Sequence, residues 1–389
     1  MKIVIPRERL EGELRVAATP DTVRKYRQRG IDVVVEAAAG IHCAIPDKEY
    51  EAAGATVTSD TADLYRGAAV VLKVRRPLRE TADGIDEVAQ LAPGSILVGL
   101  LDPYRNRDLL AALAERGITA FGLELVPRIT RAQTMDVLSS QANLTGYRAV
   151  MDAAHEFGRA FPMMMTAAGT IAPARVMVMG AGVAGLQAIA TARRLGAIVC
   201  ATDVRPAARE QVQSLGATFV MIEDAETARA ETSGGYAREM STEYQAKQQA
   251  LIAETLQKQD IVICTALIPG RPAPLLISAA MVARMKPGSV IVDLAVETGG
   301  NCELSRPGEV VVRDAVKIVG WENVASRIAV DASSMYARNL QSFLEVLLDP
   351  ASGEPRLDSG DEILAATLLT RDGAVVHPAF AATLPSAVN

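Results

Sequence analysis

The sequence predicts an α/β protein with two doubly wound parallel-sheet domains, joined by long crossover helices and separated by a cleft. Short apolar strands alternate with helical segments in both halves of the chain, which is typical of parallel sheets covered by helices on both faces. A glycine-rich turn follows one of these strands and opens a helix. The 389 residues, 49% of them hydrophobic, are enough for two or three domains with sizeable cores.

The N-terminal third contains a first series of predicted strands and helices. Its strands are expected at residues 2–5, 31–36, 69–74, 95–100 and 119–123. Thr19 and Pro20 have the residue types of an N-cap and a first helical position, so a helix is predicted from there to Gly30. A long helix is predicted over residues 139–157, where the first series ends.

A second series follows residues 162–173. Its strands are expected at residues 175–180, 197–202, 218–222, 260–265 and 290–294. The pattern from residue 316 is interpreted as helical through residues 333–348, and short strand-like pieces follow near the C-terminus. A returning C-terminal segment predicts one domain from residues 1–137 plus 326–389 and a second from residues 138–325.

Two segments of the two series resemble each other. PGSILVGLLDP (residues 93–103) and PGSVIVDLA (residues 287–295) both combine a loop with a buried strand. Two similar domains would produce this similarity, and so would a common turn at the start of a strand.

Composition excludes several classes of protein. A net charge of −6 argues against a nucleic-acid binder. Four scattered cysteines suggest a reducing compartment, and three histidines exclude a His-rich metal site, so no metal is expected. No secretory signal is visible, and the longest uncharged apolar stretch, residues 176–192, is too short for an ordinary membrane span. The chain is therefore expected to be soluble.

The glycine-rich turn predicts a dinucleotide-binding, Rossmann-like domain. Gly180, Gly182 and Gly185 form G-x-G-x-x-G between a predicted strand and a helix. Asp203 ends the next strand, where a carboxylate can accept the ribose hydroxyls and repel a 2′-phosphate. NAD is therefore expected rather than NADP. Arg205 is expected to stack on the adenine or to be solvated, although an arginine there could accept a 2′-phosphate.

A polar segment precedes the long helix. Arg128, Gln133 and Asp136 lie there, and Ser139 and Ser140 are potential helix caps. The Gln133 amide offers both a donor and an acceptor to a nicotinamide amide, and Arg128 and Asp136 could form a bridge that holds the loop. The alternative is an ordinary capped helix start with solvated arginines.

A glycine pair predicts a flexible loop at residues 233–237. Tyr236 in that loop could close over a bound nucleotide, although such a stretch is more often only a flexible loop.

Many segments together resemble one family. RVAATP, VPRITRAQTMDVLSSQANLTGYRAV, MVMGAGVAGLQA, SGGYAREMS, TALIPGRPAP, MKPGSVIVDLAVETGGNCE and YARNL are the main ones. They are similar to the NAD(H)-binding component of proton-translocating nicotinamide nucleotide transhydrogenases, and RITRAQTMDVLSSQAN is the most specific stretch.

The resemblance implies an Re/Si-specific reaction in which hydride passes directly between NAD(H) on this chain and NADP(H) on a partner subunit. It also implies a homodimer that binds membrane subunits, which translocate the protons. The chain would then lie on the cytoplasmic face of the inner membrane and contact that membrane only through its partners.

The resemblance also implies roles for individual residues. Gln133 would orient the nicotinamide, and Arg128 with Asp136 would stabilise its loop. The residues implied on the nicotinamide side are Arg128, Ile129, Thr130, Gln133, Thr134, Met135, Asp136 and Ser139. Those assigned to the diphosphate and adenosine are Gly180, Gly182, Val183, Ala184, Gly185, Asp203, Val204 and Arg205. Gly235 and Tyr236 match the family's mobile loop, and Gln248 and Leu267 match positions near the nucleotide.

Alanine dehydrogenase, a sister family, is the alternative. Arg15 and Lys73 match the two residues that hold its keto-acid, but the position of its acid/base His falls in residues 95–102, where Asp102 is the nearest ionisable residue. Reduction of an imine needs a proton donor, whereas hydride exchange between nicotinamides needs none. His42 is distant in sequence and is not excluded by sequence alone. A non-catalytic NAD sensor is a third possibility, disfavoured by the intact segment around Gln133.

Overall fold

A computed structural model describes residues 1–222, 241–268, 270–350, 352–357 and 360–381. The chain divides into two compact units. Unit 1 consists of Met1–Gln141 with Ser326–Asn389, and unit 2 of Ala142–Ala325. The division after Gln141 falls inside the long helix Val137–Glu156.

Strands and helices are numbered here in chain order. The strands are β1 (Lys2–Ile5), β2 (Asp32–Glu36), β3 (Thr56–Thr58), β4 (Val70–Arg75), β5 (Ile96–Leu100), β6 (Thr119–Gly122), β7 (Met164–Thr166), β8 (Gly169–Ile171), β9 (Arg175–Met179), β10 (Ile198–Thr202), β11 (Thr218–Phe219), β12 (Ile261–Cys264), β13 (Val290–Asp293), β14 (Val310–Arg313), β15 (Val316–Val319), β16 (Leu368–Arg371) and β17 (Ala374–Val375). The α-helices are α1 (Pro20–Gln28), α2 (Asp47–Ala52), α3 (Thr61–Tyr65), α4 (Glu87–Gln90), α5 (Arg107–Glu115), α6 (Val137–Glu156), α7 (Val183–Arg194), α8 (Ala208–Ser214), α9 (Thr242–Leu256), α10 (Ala279–Val282), α11 (Ala329–Leu347), α12 (Glu362–Thr367) and α13 (Pro378–Ala381).

Unit 1 is built on a sheet with the strand order β17-β16-β6-β5-β4-β1-β2-β3. Strands β1 to β6 pair in parallel, and β16 pairs antiparallel with β6. Helix α11 buries Tyr336, Leu340 and Phe343 in the core of this unit. The returning C-terminal chain therefore supplies both an edge of the sheet and a core helix.

Unit 2 is built on a sheet with the order β11-β10-β9-β12-β13-β15-β14. All its pairs are parallel except the β14–β15 hairpin. The expectation of a helix from residue 316 is wrong, because β15 begins there. Asp314 and Ala315 both have positive φ angles, +49° and +58°. Such a pair suits a two-residue turn that reverses the chain into an antiparallel partner.

A second hairpin, β7–β8, lies between α6 and β9 and was not predicted. Every residue of its two strands is exposed. No helix among the described ranges is both long and apolar enough to cross a bilayer.

The two sheets share one strand order. Read from β3 and from β11, both follow the third-second-first-fourth-fifth-sixth pattern of doubly wound sheets. Such folds bind ligands outside the carboxyl ends of the strands, where the order reverses. That point lies between β1 and β4 in unit 1 and between β9 and β12 in unit 2.

Candidate functional site

The glycine-rich turn lies at the carboxyl end of β9, where the order of unit 2 reverses. Gly180 has φ +102°, a conformation that a side chain would strain. Its N–H donates to the Thr202 carbonyl at 2.8 Å, and its carbonyl accepts from the Thr265 hydroxyl at 2.9 Å. The turn is thus tied to the ends of both neighbouring strands, β10 and β12.

Close approach explains two further glycines. A Cβ added to Gly185 would lie 1.8 Å from the Gly180 carbonyl oxygen, so helix α7 packs on the turn only without a side chain there. A Cβ added to Gly146 on helix α6 would lie 2.0 Å from the Ala184 carbonyl oxygen. Gly146 thus sets how closely α6 approaches the first turn of α7, a role that no local sequence signal indicated.

In contrast to Gly185 and Gly146, Gly182 is not closely approached by other residues. A Cβ added there would meet nothing within 4 Å, so the turn is open at this residue. Gly182 is the N-cap of α7, whose first-turn N–H groups lack intrahelical acceptors and carry the positive end of the helix dipole. An open backbone beside a helix N-terminus fits a diphosphate.

Asp203 follows the end of β10, and its carboxylate faces this turn. Oδ2 accepts from the Ala181 N–H at 2.7 Å, which joins the carboxylate to the glycine-rich turn. Arg205 donates from Nε to Oδ1 and from Nη2 to Oδ2, each at 2.9 Å, and its backbone N–H also reaches Oδ1. The Arg205 guanidinium thus forms a bidentate salt bridge with Asp203. This contact differs from the expected stacking on the adenine or solvation.

The segment after β12 forms a further region of this edge. Leu267 is half exposed there. The fully buried Asn301 accepts from the Ala266 N–H and donates to the carbonyls of Ala266 and Pro274. Asp293, the last residue of β13, accepts the Asn301 N–H. Neither Asp293 nor Asn301 was predicted from the sequence, and Asn301 bonds to residues 27 and 35 positions away.

The remaining unit 2 candidates have different exposures. Val183 is exposed, whereas Ala184, Val204 and Gln248 are half-buried. Gly235 and Tyr236 lie outside the described residues.

The Gln133 segment belongs to unit 1 and forms the 3-10 helix Thr130–Met135. Ala132 and Met135 are buried in the core of unit 1 and anchor the segment. Half-buried Ile129 packs against that core. The side chains that project outward from the segment include those of Arg128, Thr130, Gln133 and Thr134.

Asp136 caps helix α6. Its Oδ1 accepts from the Ser139 N–H at 2.9 Å, and its Oδ2 accepts from the Ser139 hydroxyl at 2.5 Å. The expectation that Ser139 or Ser140 would supply the cap is therefore wrong, because the acceptor is the carboxylate before the helix. An Arg128–Asp136 bridge remains a prediction.

Unit 1 has buried ion pairs where its own strand order reverses. Arg15 and Glu13 form a bidentate salt bridge, in which Nε donates to Oε1 at 2.8 Å and Nη2 donates to Oε2 at 2.6 Å. Lys73 on β4 donates to Glu87 at 2.7 Å and lies 3.4 Å from Glu8. Burial raises the pKa of Glu8 to about 7. Arg15 and Lys73 thus have carboxylate partners within the chain.

Asp102 occupies the end of the segment in which a histidine was sought. Its side chain is partly exposed and pairs with Arg105 at 2.9 Å. The carboxylate of Glu124 accepts the N–H groups of Leu101 and Asp102 through Oε1, while its buried Oε2 has no hydrogen-bond partner. Burial raises the pKa of Glu124 to about 7.

Comparison with known proteins agrees with this architecture. Residues 4–145 match the family description "Alanine dehydrogenase/PNT, N-terminal domain", and residues 149–378 match the corresponding C-terminal domain. A polypeptide of Rhodospirillum rubrum, named as the first portion of NAD(P) transhydrogenase subunit alpha, is 55% identical over 98% of this chain and 99% of its own length.

Structures and more distant relatives give the same family. The crystal structure of transhydrogenase from Sinorhizobium meliloti has a TM-score of 0.84 and 51% identity, covering 97% of this chain and all of that one. The alanine dehydrogenase of Halomonas elongata is 31% identical over 98% of this chain and 96% of its own length. The chain therefore belongs to the alanine dehydrogenase/PNT family, and its relatives named transhydrogenase subunit alpha are more similar to it than those named alanine dehydrogenase.

Proposed function

We propose that this chain is the NAD(H)-binding subunit of a proton-translocating transhydrogenase. The observation that carries the NAD(H) assignment is the pairing of an open glycine turn at Gly182 with a carboxylate at Asp203 on the same edge of unit 2. The turn fits a diphosphate, and the carboxylate fits an unphosphorylated ribose. The family resemblance then supports transfer to NADP(H) on a partner.

The residues of the chain serve chiefly to bind and to position. Bound NAD(H) would supply or accept the hydride at its nicotinamide ring. Residues 180–185, Asp203 to Arg205, Gln248 and Leu267 hold the nucleotide, and Gln133 orients the nicotinamide amide. Because reacting carbons must approach to about 3–3.5 Å, small errors in this orientation slow the reaction strongly. Asp136 supports Gln133 by fixing the start of α6, and Arg128 stabilises the same loop.

The partners follow from the same proposal. The Re/Si-specific reaction needs an NADP(H)-binding subunit, and membrane subunits would translocate the protons. The chain would lie on the cytoplasmic face of the inner membrane, held there by those subunits. A homodimer is supported by the β7–β8 hairpin, because Met163, Met164, Met165 and Ile171 are exposed and residues 160–174 carry no charge. An isolated two-stranded hairpin is at best marginally stable in water, which favours a covering partner.

Alanine dehydrogenase remains the second candidate. Arg15 and Lys73 stand at the positions that would hold a keto-acid, which favours it. Against it, both cations are already paired with carboxylates of unit 1. The segment in which the acid/base histidine is expected, residues 95–102, contains no histidine, and its nearest ionisable residue, Asp102, is paired with Arg105.

Two measurements test the proposal in sequence. NADH titration of the purified chain should show tight binding with much weaker binding of NADPH. Mixing the chain with the NADP(H)-binding subunit of a related transhydrogenase should then produce hydride transfer from NADH to an NADP analogue. Failure of transfer despite tight NADH binding and demonstrated complex formation would overturn the transhydrogenase assignment.

A further inference from the structure

We propose that Asn339 is a positioning residue that holds the Gln133 segment in the orientation required for hydride transfer. The proposal rests on the function proposed above, because it assigns Asn339 to the support of Gln133. Asn339 lies on helix α11, which is part of the C-terminal segment that belongs to unit 1.

The Asn339 amide links the Gln133 segment to the start of helix α6. Its Nδ2 donates to the Thr134 carbonyl at 2.7 Å, and its Oδ1 accepts from the Ser140 hydroxyl at 2.7 Å. One side chain therefore joins the residue after Gln133 to the first turn of α6. Asn339 is 8% exposed, so water competes little for these bonds.

The segment needs such support because its own geometry is weak. It is a 3-10 helix, in which hydrogen bonds are less well aligned than in an α-helix. Ala132 and Met135 fix the buried side of the segment by packing, and Asp136 fixes the start of α6. The Thr134 carbonyl lies between these anchors, so the bond from Asn339 limits rotation of the backbone beside Gln133.

The Asn339 anchor is itself tied to the interior of unit 1. Gln141 lies next to Ser140 and donates to the Ala332 carbonyl of α11 at 3.1 Å. Arg15 donates to the Gln141 amide oxygen at 2.8 Å and is held by Glu13. The polar contacts around Asn339 therefore continue into the buried interior rather than ending at the surface.

Only an amide of this length matches both partners. Asn339→Ala removes the donor to Thr134 and the acceptor for Ser140. Asn339→Asp keeps the size but places carboxylate oxygen against the Thr134 carbonyl, so donor and acceptor no longer match. Thr370→Val is the matched control, since it removes a buried hydrogen bond of 2.7 Å to the Ile118 carbonyl elsewhere in unit 1.

The first test uses the purified chain without nucleotide. Hydrogen exchange of the amides of residues 130–136 should be about fivefold faster or more in Asn339→Ala, the factor expected from losing one net hydrogen bond. Thr370→Val should leave exchange in this segment unchanged. The proposed anchor would be overturned if the amides of residues 130–136 exchange at the wild-type rate in Asn339→Ala. It would also be overturned if Thr370→Val accelerates their exchange equally.

The second test measures hydride transfer with the NADP(H)-binding subunit. Asn339→Ala should lower the transfer rate at least tenfold while the dissociation constant for NADH changes less than about threefold. Combined with Gln133→Asn, it should add little further loss, because both changes misplace the same amide. If the loss of transfer rate in the double variant equals the product of the two single losses, Asn339 does not act through Gln133.

Two further results keep the inference distinct from the proposed function. Ser140→Ala removes the partner of the Asn339 carbonyl oxygen and should show the same effects at smaller size, even if Asn339→Ala does not fold. If wild-type protein transfers no hydride, the transhydrogenase assignment fails, while the exchange experiment still decides whether Asn339 anchors the segment.

Discussion

The substitution Asp203→Asn should reduce the preference for NADH over NADPH with little change in side-chain size. The carboxylate accepts four hydrogen bonds, one from the Ala181 N–H, one from the Arg205 N–H and two from the Arg205 guanidinium. Each carboxylate oxygen accepts two of these bonds, so the NH2 group of an asparagine would face two donors in either orientation. The amide therefore cannot reproduce the native contacts, and it also lacks the charge that repels a 2′-phosphate.

The size of the effect follows from the bond that we propose between Asp203 and the ribose. A hydrogen bond to a charged group contributes about 1.5–3 kcal/mol, and about 1.4 kcal/mol corresponds to a tenfold change in affinity. The Asp203 side chain is 7% exposed, so solvent screens its charge only weakly. Loss of one charge-assisted bond to the ribose should thus weaken NADH about 10- to 100-fold. NADPH binding should be unchanged or stronger, because a like charge has been removed.

Calorimetric titration of both nucleotides measures this directly. Asp260→Asn is the matched control, since Asp260 is a buried carboxylate that accepts the Arg175 N–H at 2.8 Å at the amino end of the same sheet. That variant should lose stability without changing the ratio of the two affinities. Equal affinities for NADH and NADPH in the wild type, or an unchanged ratio in Asp203→Asn, would refute the role given to Asp203.

Three other predictions concern unit 1. With pyruvate, ammonia and NADH the chain should form essentially no alanine at neutral pH, because Asp102 replaces the histidine that would donate the proton; robust alanine formation would favour the alternative function. Gln133→Asn shortens the side chain by one methylene, so hydride transfer should fall about a hundredfold while NADH titration changes little; transfer at the wild-type rate would contradict its role. Burial raises the pKa of Glu124 from 4.5 to about 7. The folded protein therefore favours the protonated carboxyl, and wild-type stability declines as the pH rises from 4.5 through 7. Glu124→Gln should therefore gain up to about 3 kcal/mol relative to wild type between pH 5 and pH 8 in denaturant titrations, and a pH-independent difference would count against this assignment.

The strands that were predicted correctly share a strong local signal. β4 and β9 are short segments made up mostly of buried apolar residues. β15 was missed although β1 and β12, which also have four residues, were predicted, so its length alone does not explain the error. Its identity is set by the turn at Asp314 and Ala315 and by pairing with β13. The β7–β8 hairpin was missed because its strands have three residues each and are exposed throughout, so no buried apolar run marks them.

The candidate site shows the same division between local and distant information. Gly180, Gly185 and Asp203 could be identified because their spacing along the chain is fixed by a strand, a turn and a helix. Asn339 and Gly146 could not be identified in this way. Asn339 acts on a carbonyl 205 positions away in the chain, and the need for glycine at 146 arises only where α6 meets Ala184. No periodicity of the sequence encodes such partners.

The similarity between PGSILVGLLDP and PGSVIVDLA has a structural counterpart. These segments contain β5 and β13, each the fifth strand in the common order of its sheet. Gly94 and Gly288 precede them with φ +82° and +84°. The N–H of each donates to the carbonyl of a residue just before the sixth strand, Gly117 at 2.9 Å and Ala315 at 2.8 Å. The two units therefore share a fold in detail, and their difference in chemistry must arise from the loops.

That difference between the loops bears on the proposed need for an NADP(H)-binding partner. In unit 1 the loop after β1 begins with Pro6, which has no N–H to offer a phosphate, whereas unit 2 offers the open turn at Gly182. Glu36 at the end of β2 corresponds in position to Asp203, but it is buried beneath Arg9, whose side chain is 5% exposed and also bonds Asp83. Within the described residues, the features of a dinucleotide site thus occur in unit 2 and are replaced by ion pairs in unit 1. Under the proposed function, the single site of unit 2 would hold NAD(H), and a second protein would have to present NADP(H).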